Sequence, residues 1–229
     1  MSIEETISVQ EAIANRRSIR QFLDKPVAKE DVIDILEQAK RAPSGGNLQP
    51  WKVYVLAGEF RDRLVNTVAE KSAINPVGDG AEYDIYPPQL TDPYRTRRRD
   101  VGSDLYQLIG IPREDKMAKF AQLAKNFEFF GAPVGLIFTI DRQMGLGQWA
   151  DLGMFMQNVM LMAKSKGLDT CAQEAWAVWH KTISEIAEIP EEEMVFAGMC
   201  LGYADPDAVI NELVSKRANL DEFAELKGF

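Results

Sequence analysis

Arg16, Arg17, Ser18 and Arg20 place three guanidinium groups and a hydroxyl within five residues of a chain whose formal net charge is −9. Planar, forked donors at this density suit a phosphate or a carboxylate, which two arginines grip with parallel N–H donors. The same residues also suit a solvated helix end, where cations complement the terminal dipole. A second stretch, "PSGGNLQPW" at 43–51, joins two prolines and a glycine pair to Asn47 and Gln49. Such a backbone can lie close against a flat ligand, and the two amides can read a heterocycle edge. That is more than a helix-to-strand connector requires.

"GLGQWA" at 145–150 can be read as G-x-G-x-x-A, with Asp169 at about the distance of a ribose-binding carboxylate. Against a dinucleotide site, "DRQM" separates the glycines from the preceding strand, and Asp169 precedes its own strand. His180, the one histidine, lies in a helical pattern, where it reads as a partly exposed helix residue. No Ser-His-Asp or Cys-His arrangement and no G-x-S-x-G motif is assignable. A single histidine also excludes a multi-histidine metal site within one chain, so no metal is expected. Side chains this poor in nucleophiles imply that a cofactor carries the difficult step.

The elements that would position these groups follow from periodicity. Ser8 and Glu11 form a capping box, so a first helix starts near residue 9 and ends at the arginines. Val32, Ile35, Leu36 and Ala39 make one apolar face of a second helix within 29–41. Strands are expected at 52–57, at 133–140 ("PVGLIFTI", apolar on both faces and so central in a sheet), near Asp169, and at 194–203. Helices are expected within 59–72, at 104–109, 113–130 and 149–166, and within 177–188. Residues 73–99 hold four prolines and the run "RTRRR" without a sustained period. A connection that long is usually functional or mobile. The order is that of an α+β sheet layered with helices.

With 229 residues, 46% hydrophobic and 27% charged, the chain has the composition of one ordinary globular domain. Its acidity argues against a general nucleic-acid binder. The N-terminus is acidic and lacks the apolar core of a secretory leader, and 152–163 is too short to cross a bilayer, so a cytoplasmic location is expected. Cys171 and Cys200 are read as buried thiols.

In order along the chain, "RRSIRQF", "APSGGNLQPWKVYVL", "GAPVGLIFT", a long apolar helix ending "KGL", "QEAW", and a basic pair before "LDEF" resemble the FMN-dependent nitroreductase family. That family includes flavin reductases and iodotyrosine dehalogenases, and the match runs from about residue 9 to 229. The resemblance implies a three-layer α+β fold with a mostly antiparallel mixed sheet and an intertwined homodimer, with FMN bound between subunits. It implies that Arg16, Arg17, Ser18 and Arg20 bind the phosphate and polar edge of FMN, and that Pro43, Ser44, Gly45, Asn47 and Gln49 line its ring. Gln173, Glu174 and Ala175 would lie near the reactive nitrogen, and Lys216 and Arg217 would complete the phosphate site. One domain would span 1–229, with an irregular and helical insert at 73–130 near the substrate mouth. A C-terminal extension at 206–229 would wrap the partner. Tyr83, Tyr86 and Arg97 are candidates for contacting the acceptor.

The implied reaction is ping-pong hydride transfer from NADPH or NADH, through the flavin, to a small nitroaromatic or quinone-like acceptor. Reductive dehalogenation on the same scaffold and non-catalytic redox sensing are the alternatives. Neither a membrane nor a nucleic-acid partner is expected.

Overall fold

The computed structural model describes residues 7–229; the first six, part of the acidic segment read as lacking a leader, lie outside it. Four strands, β1 (Trp51–Ala57), β2 (Val134–Asp141), β3 (Asp169–Gln173) and β4 (Glu193–Gly202), form an antiparallel sheet in the order β1-β2-β4-β3. β2 lies second in this order, and all its residues but the last are buried, as its unbroken apolar run requires. The described residues also form seven α-helices, α1 (Val9–Asn15), α2 (Lys29–Ala39), α3 (Gly58–Ile74), α4 (Tyr94–Leu108), α5 (Lys116–Ala124), α6 (Leu146–Ser165) and α7 (His180–Ala187), of which α2 and α6 pack on one face of the sheet and α3 and α7 on the other. The Ser8–Glu11 capping box starts α1 as the sequence predicts.

The pleat sorts the core into two layers. Leu136, Phe138 and Ile140 of β2 pack with Ile35 of α2 and with Leu152, Phe155 and Val159 of α6. Ile137 faces the other way, into Leu64 and Val68 of α3, Ile183 of α7, Phe129, Trp176 and Trp179. On that face Gly135 and Gly198 leave room for rings. A Cβ at Gly198 would lie 2.2 Å from Trp176, and one at Gly135 would lie 2.4 Å from Phe129. Phe129 and Trp176 stack on each other there, with centroids 4.4 Å apart.

β4 carries a one-residue bulge. Phe138 pairs with Ala197 but Thr139 pairs with Val195, so Phe196 is the extra residue. The sidedness of β4 reverses across it: Val195 lies in the α3/α7 core, whereas Ala197, Met199 and Leu201 lie in the α2/α6 core.

The basic run expected in an irregular segment begins a helix instead. α4 starts at Tyr94 and buries no residue, so it has no apolar stripe for a periodicity reading to detect. The dinucleotide reading of "GLGQWA" fails on topology. The four strands pair with one another only antiparallel, so among the described residues they form no parallel βαβ unit, and Asp169 pairs with Lys164 at 2.8 Å. Gly145 is simply the residue that caps α6, with its N–H donated to Gln148 Oε1. Cys171 and Cys200 are free, buried and opposite each other in the β3–β4 register. Among the described residues no helix is long and apolar enough to cross a membrane.

Candidate functional site

The chain leaving α1 runs alongside β3. Ile19 N–H donates to the Thr170 carbonyl (3.0 Å), and Phe22 N–H to the Phe130 carbonyl (3.3 Å). Ile19 and Phe22 are buried anchors, so Arg16, Arg17, Ser18 and Arg20 stay at or near the surface between them. Arg20 donates to the Ser18 carbonyl at 3.1 Å. No carboxylate pairs with Arg16, Arg17 or Arg20 among the described residues, which leaves a patch of unneutralised charge on an acidic protein.

A residue that sequence reasoning missed holds this segment in place. Asn211 Oδ1 accepts from the backbone N–H groups of Arg20 (2.8 Å) and Gln21 (3.2 Å), while Asn211 Nδ2 donates to the Gln21 and Asp205 carbonyls. This amide clips the C-terminal tail to the arginine strand. Nothing in the sequence signals a pairing between positions 190 residues apart.

Arg20 also borders a cavity of about 730 Å³. Met156 and Met160 of α6 provide an apolar surface, Gln173, Glu174 and Ala175 follow the end of β3, and Phe196 and Ala197 enter from the bulge. Tyr86 and Tyr106 border the side formed by the insert. The Gln173 side chain turns inward, donating to the Asn126 carbonyl (2.8 Å) and accepting from Cys200 Sγ (3.0 Å). Only its backbone remains to face a ligand. Glu174 is half-buried and has no ion-pair partner among the described residues; burial raises its pKa from its ordinary value.

The second predicted stretch lies elsewhere. Gly45 N–H donates to buried Asp151 Oδ2 of α6 (3.1 Å), and Gly46, Asn47 and Gln49 all have positive φ, at 58°, 57° and 50°. Two non-glycine residues held left-handed on the surface are strained, and such strain collects at ligand clamps. Pro43, Ser44, Gly45, Asn47 and Gln49 do not line the Arg20 cavity within one chain. Nor do the tail cations join the Arg16–Arg20 cluster. Lys216 pairs with Asp104 of α4 (3.1 Å), and Arg217 donates to Ser215 and to the Lys216 carbonyl.

Of the candidate acceptor contacts, Tyr86 lines the cavity, with the Arg98 guanidinium 3.8 Å above its ring. Tyr83 sits behind the wall, edge-on to Trp149, with its hydroxyl on the Phe196 carbonyl; burial first, then the nearby Glu174 charge, pushes its pKa up. Arg97 faces away and pairs with Glu222 of the tail (3.0 Å). His180 is the partly exposed helix residue that the sequence suggests, at the start of α7. Its Nδ1 lies 3.3 Å from Glu82, whose other oxygen takes Arg142 at 2.8 Å, so these three residues tie the insert to the body. No metal-ligating cluster exists among the described residues.

The nitroreductase family model matches residues 13–203, a span that includes the arginine strand, all four sheet strands and the cavity wall. The chain belongs to the nitroreductase family. It is 41% identical over 215 residues to a nitrobenzene nitroreductase of Ectopseudomonas oleovorans, covering 94% of this chain and 95% of that protein. An FMN and NADPH-dependent nitroreductase, NfnB of Sphigopyxis sp. strain HMH, superposes with a TM-score of 0.95 at 43% identity, over 97% of this chain and all of that one. The FMN-dependent nitroreductase NfnB of Mycobacterium smegmatis, solved with NADPH, superposes at 0.90 with 28% identity, over 95% of this chain and 97% of that one. The nitroreductase fold expected from the sequence is the fold observed.

Proposed function

We propose that this nitroreductase-family protein is an FMN-dependent, NADPH-oxidising homodimer that reduces small nitroaromatic acceptors, and quinone-like ones by the same chemistry. The observation that carries the reading is Arg20, which belongs both to an unneutralised arginine cluster and to the border of an apolar-floored cavity. FMN has the matching shape: a dianionic phosphate at one end and a flat, largely apolar ring at the other. The residues present fit it on both counts.

When bound, FMN would supply two-electron hydride chemistry between the reduced nicotinamide and the acceptor. Arg16, Arg17, Ser18 and Arg20 would hold its phosphate and polar edge with charge-assisted hydrogen bonds. The backbone of Gln173, Glu174 and Ala175 would face its ring, because the Gln173 side chain is already committed. Met156 and Met160 would exclude water beneath it, and Tyr86 would offer an aromatic face to the acceptor.

The strained loop at 43–49 serves the reading if it lines the site of a second copy. Exposed apolar side chains support such a dimer, among them Ile13, Leu146, Phe223 and Phe229, because a soluble monomer seldom leaves so many uncovered. The extension at 206–229, with Lys216 and Arg217, would wrap that partner. We place the protein in the cytoplasm, where buried, unpaired thiols are the rule.

The test is spectroscopic. Purified protein should be yellow or take up FMN, NADPH should bleach the flavin anaerobically, and nitrobenzene should restore it. A protein that gains no flavin absorbance from added FMN rules the reading out, and one whose flavin stays oxidised under NADPH is not a reductase.

A further inference from the structure

We propose that the arginine-lined cleft between α4 and α5 is an anion site for the adenosine 2′-phosphate end of the reduced dinucleotide, an assignment that rests on the NADPH-oxidising reading above. The cleft has a volume of about 1030 Å³ and is separate from the Arg16–Arg20 cluster. Arg95, Arg98 and Arg99 line it from α4, and Arg113 and Lys119 from the opposite side, against one carboxylate, Asp100. Five cations facing one acid is the reverse of the chain's overall balance of 26 basic to 35 acidic residues. A concave wall of one sign focuses potential on whatever enters it.

A solvated helix face would be expected to neutralise itself locally, and part of this one does. Arg95 pairs with Asp92 (2.9 Å) and Arg99 with Asp100 (3.0 Å), both exposed pairs that an incoming phosphate could replace at little cost. Arg98 and Arg113 have no acidic partner among the described residues. Arg98 is instead oriented by the Tyr86 ring, 3.8 Å from its guanidinium, so the ring fixes the plane and leaves the N–H fork available.

Position selects the ligand. Tyr106 lines both this cleft and the Arg20 cavity, and Tyr86, which carries Arg98, lines that cavity too. The two spaces are therefore neighbours across an aromatic wall. α4 advances roughly 16 Å between Arg95 and Tyr106, so its cations are spread along the helix instead of gathered at one point. A donor with one ring in the cavity and phosphates trailing along α4 uses both spaces. A nitroaromatic is too small to do so.

The test uses flavin-loaded protein and adenosine 2′,5′-bisphosphate as the probe, followed by titration calorimetry, with inorganic phosphate as the comparison. The bisphosphate should bind, compete with NADPH and bind more weakly as salt is raised. Arg113→Ala, which lies in the exposed connection before α5, and the double variant with Arg98→Ala should weaken it about tenfold or more. In both variants KM for NADPH should rise more than KM for NADH, and Arg113→Lys should recover part of the loss. Equal binding of inorganic phosphate, binding that does not compete with NADPH, or affinity unmoved in the double variant would each overturn the proposal. If NADPH leaves the flavin oxidised, the reductase reading fails, while calorimetry still decides whether the cleft holds the bisphosphate.

Discussion

The Tyr83 hydroxyl donates to the Phe196 carbonyl at 2.6 Å, and Phe196 is the residue that the β4 bulge leaves out of the ladder. The bulge frees a carbonyl from strand pairing, and a side chain from the insert satisfies it. Tyr83→Phe keeps the ring against Trp149 and removes this bond alone. The expected loss is about 1 kcal/mol of stability, with faster hydrogen exchange confined to residues near 73–93 and a raised KM for the acceptor. Unchanged exchange in that segment would show that the bond does not restrain it.

Arg20 joins the tail through its backbone and the proposed phosphate site through its side chain. Arg20→Ala preserves the N–H donated to Asn211, so the fold should hold. FMN affinity should fall about tenfold or more, the worth of one charge-assisted contact. Fluorescence titration of the apoprotein reads this directly, and unchanged affinity would remove Arg20 from the site.

Glu193, a buried carboxylate, accepts from Lys52 Nζ (2.7 Å), Tyr54 Oη (3.0 Å) and Thr139 Oγ1, joining three strands. Burial pushes its pKa up, but these bonds and the Lys52 charge outweigh that and hold it below the ordinary 4.5. A depressed carboxylate contributes fully above its unfolded value and loses that contribution as pH falls through the folded one. Glu193→Gln should therefore cost about 1–2 kcal/mol at pH 7, and the gap to the parent should narrow below about pH 4.5. Urea unfolding at pH 7 and at pH 4 measures both. Tyr54, pushed up to about 12 by burial and then by Glu193, should ionise late in an absorbance titration and earlier in the variant.

The sequence reveals elements whose burial is one-sided or complete, and hides those whose role depends on a distant partner. β2 and α6 are legible because apolar runs report burial directly. The arginine cluster is legible as charge, yet its freedom from carboxylates is a fact of tertiary placement. α4 is hidden because an exposed helix has no stripe, and its start among arginines looks like loop. The Asn211 clip and the Phe196 bulge are hidden for a deeper reason: both exist only once segments far apart in the chain are aligned. In the 43–49 loop the glycine at 46 announces a left-handed turn, whereas the same conformation at Asn47 and Gln49 goes unannounced.

Glu174 is half-buried without an ion-pair partner among the described residues, and burial raises its pKa. A raised carboxylate pKa favours the fold below the unfolded value, and that contribution is lost as pH rises through the folded value. At neutral pH the ionised group thus weighs against stability. Glu174→Gln should raise Tm at pH 7 to 8 and match the parent near pH 4. A variant that melts lower at pH 8 would mean that the carboxylate has a stabilising partner instead.

Gly198 decides whether the cavity wall keeps its shape. Trp176 is fully buried on that glycine, follows Glu174 and Ala175 directly, and stacks on Phe129. A methyl at 198 would meet the indole at 2.2 Å, so Trp176 must tilt or the β3–β4 pair must part. Overpacking of this kind costs about 1–3 kcal/mol. Because the displaced ring is continuous with the wall-forming residues, Gly198→Ala should also loosen FMN, whereas Gly135→Ala, under Phe129, should cost similar stability with less effect on the cofactor. Parallel unfolding and FMN titrations of the two variants separate these effects. Equal FMN losses in both would mean that the wall responds to stability alone and not to Trp176.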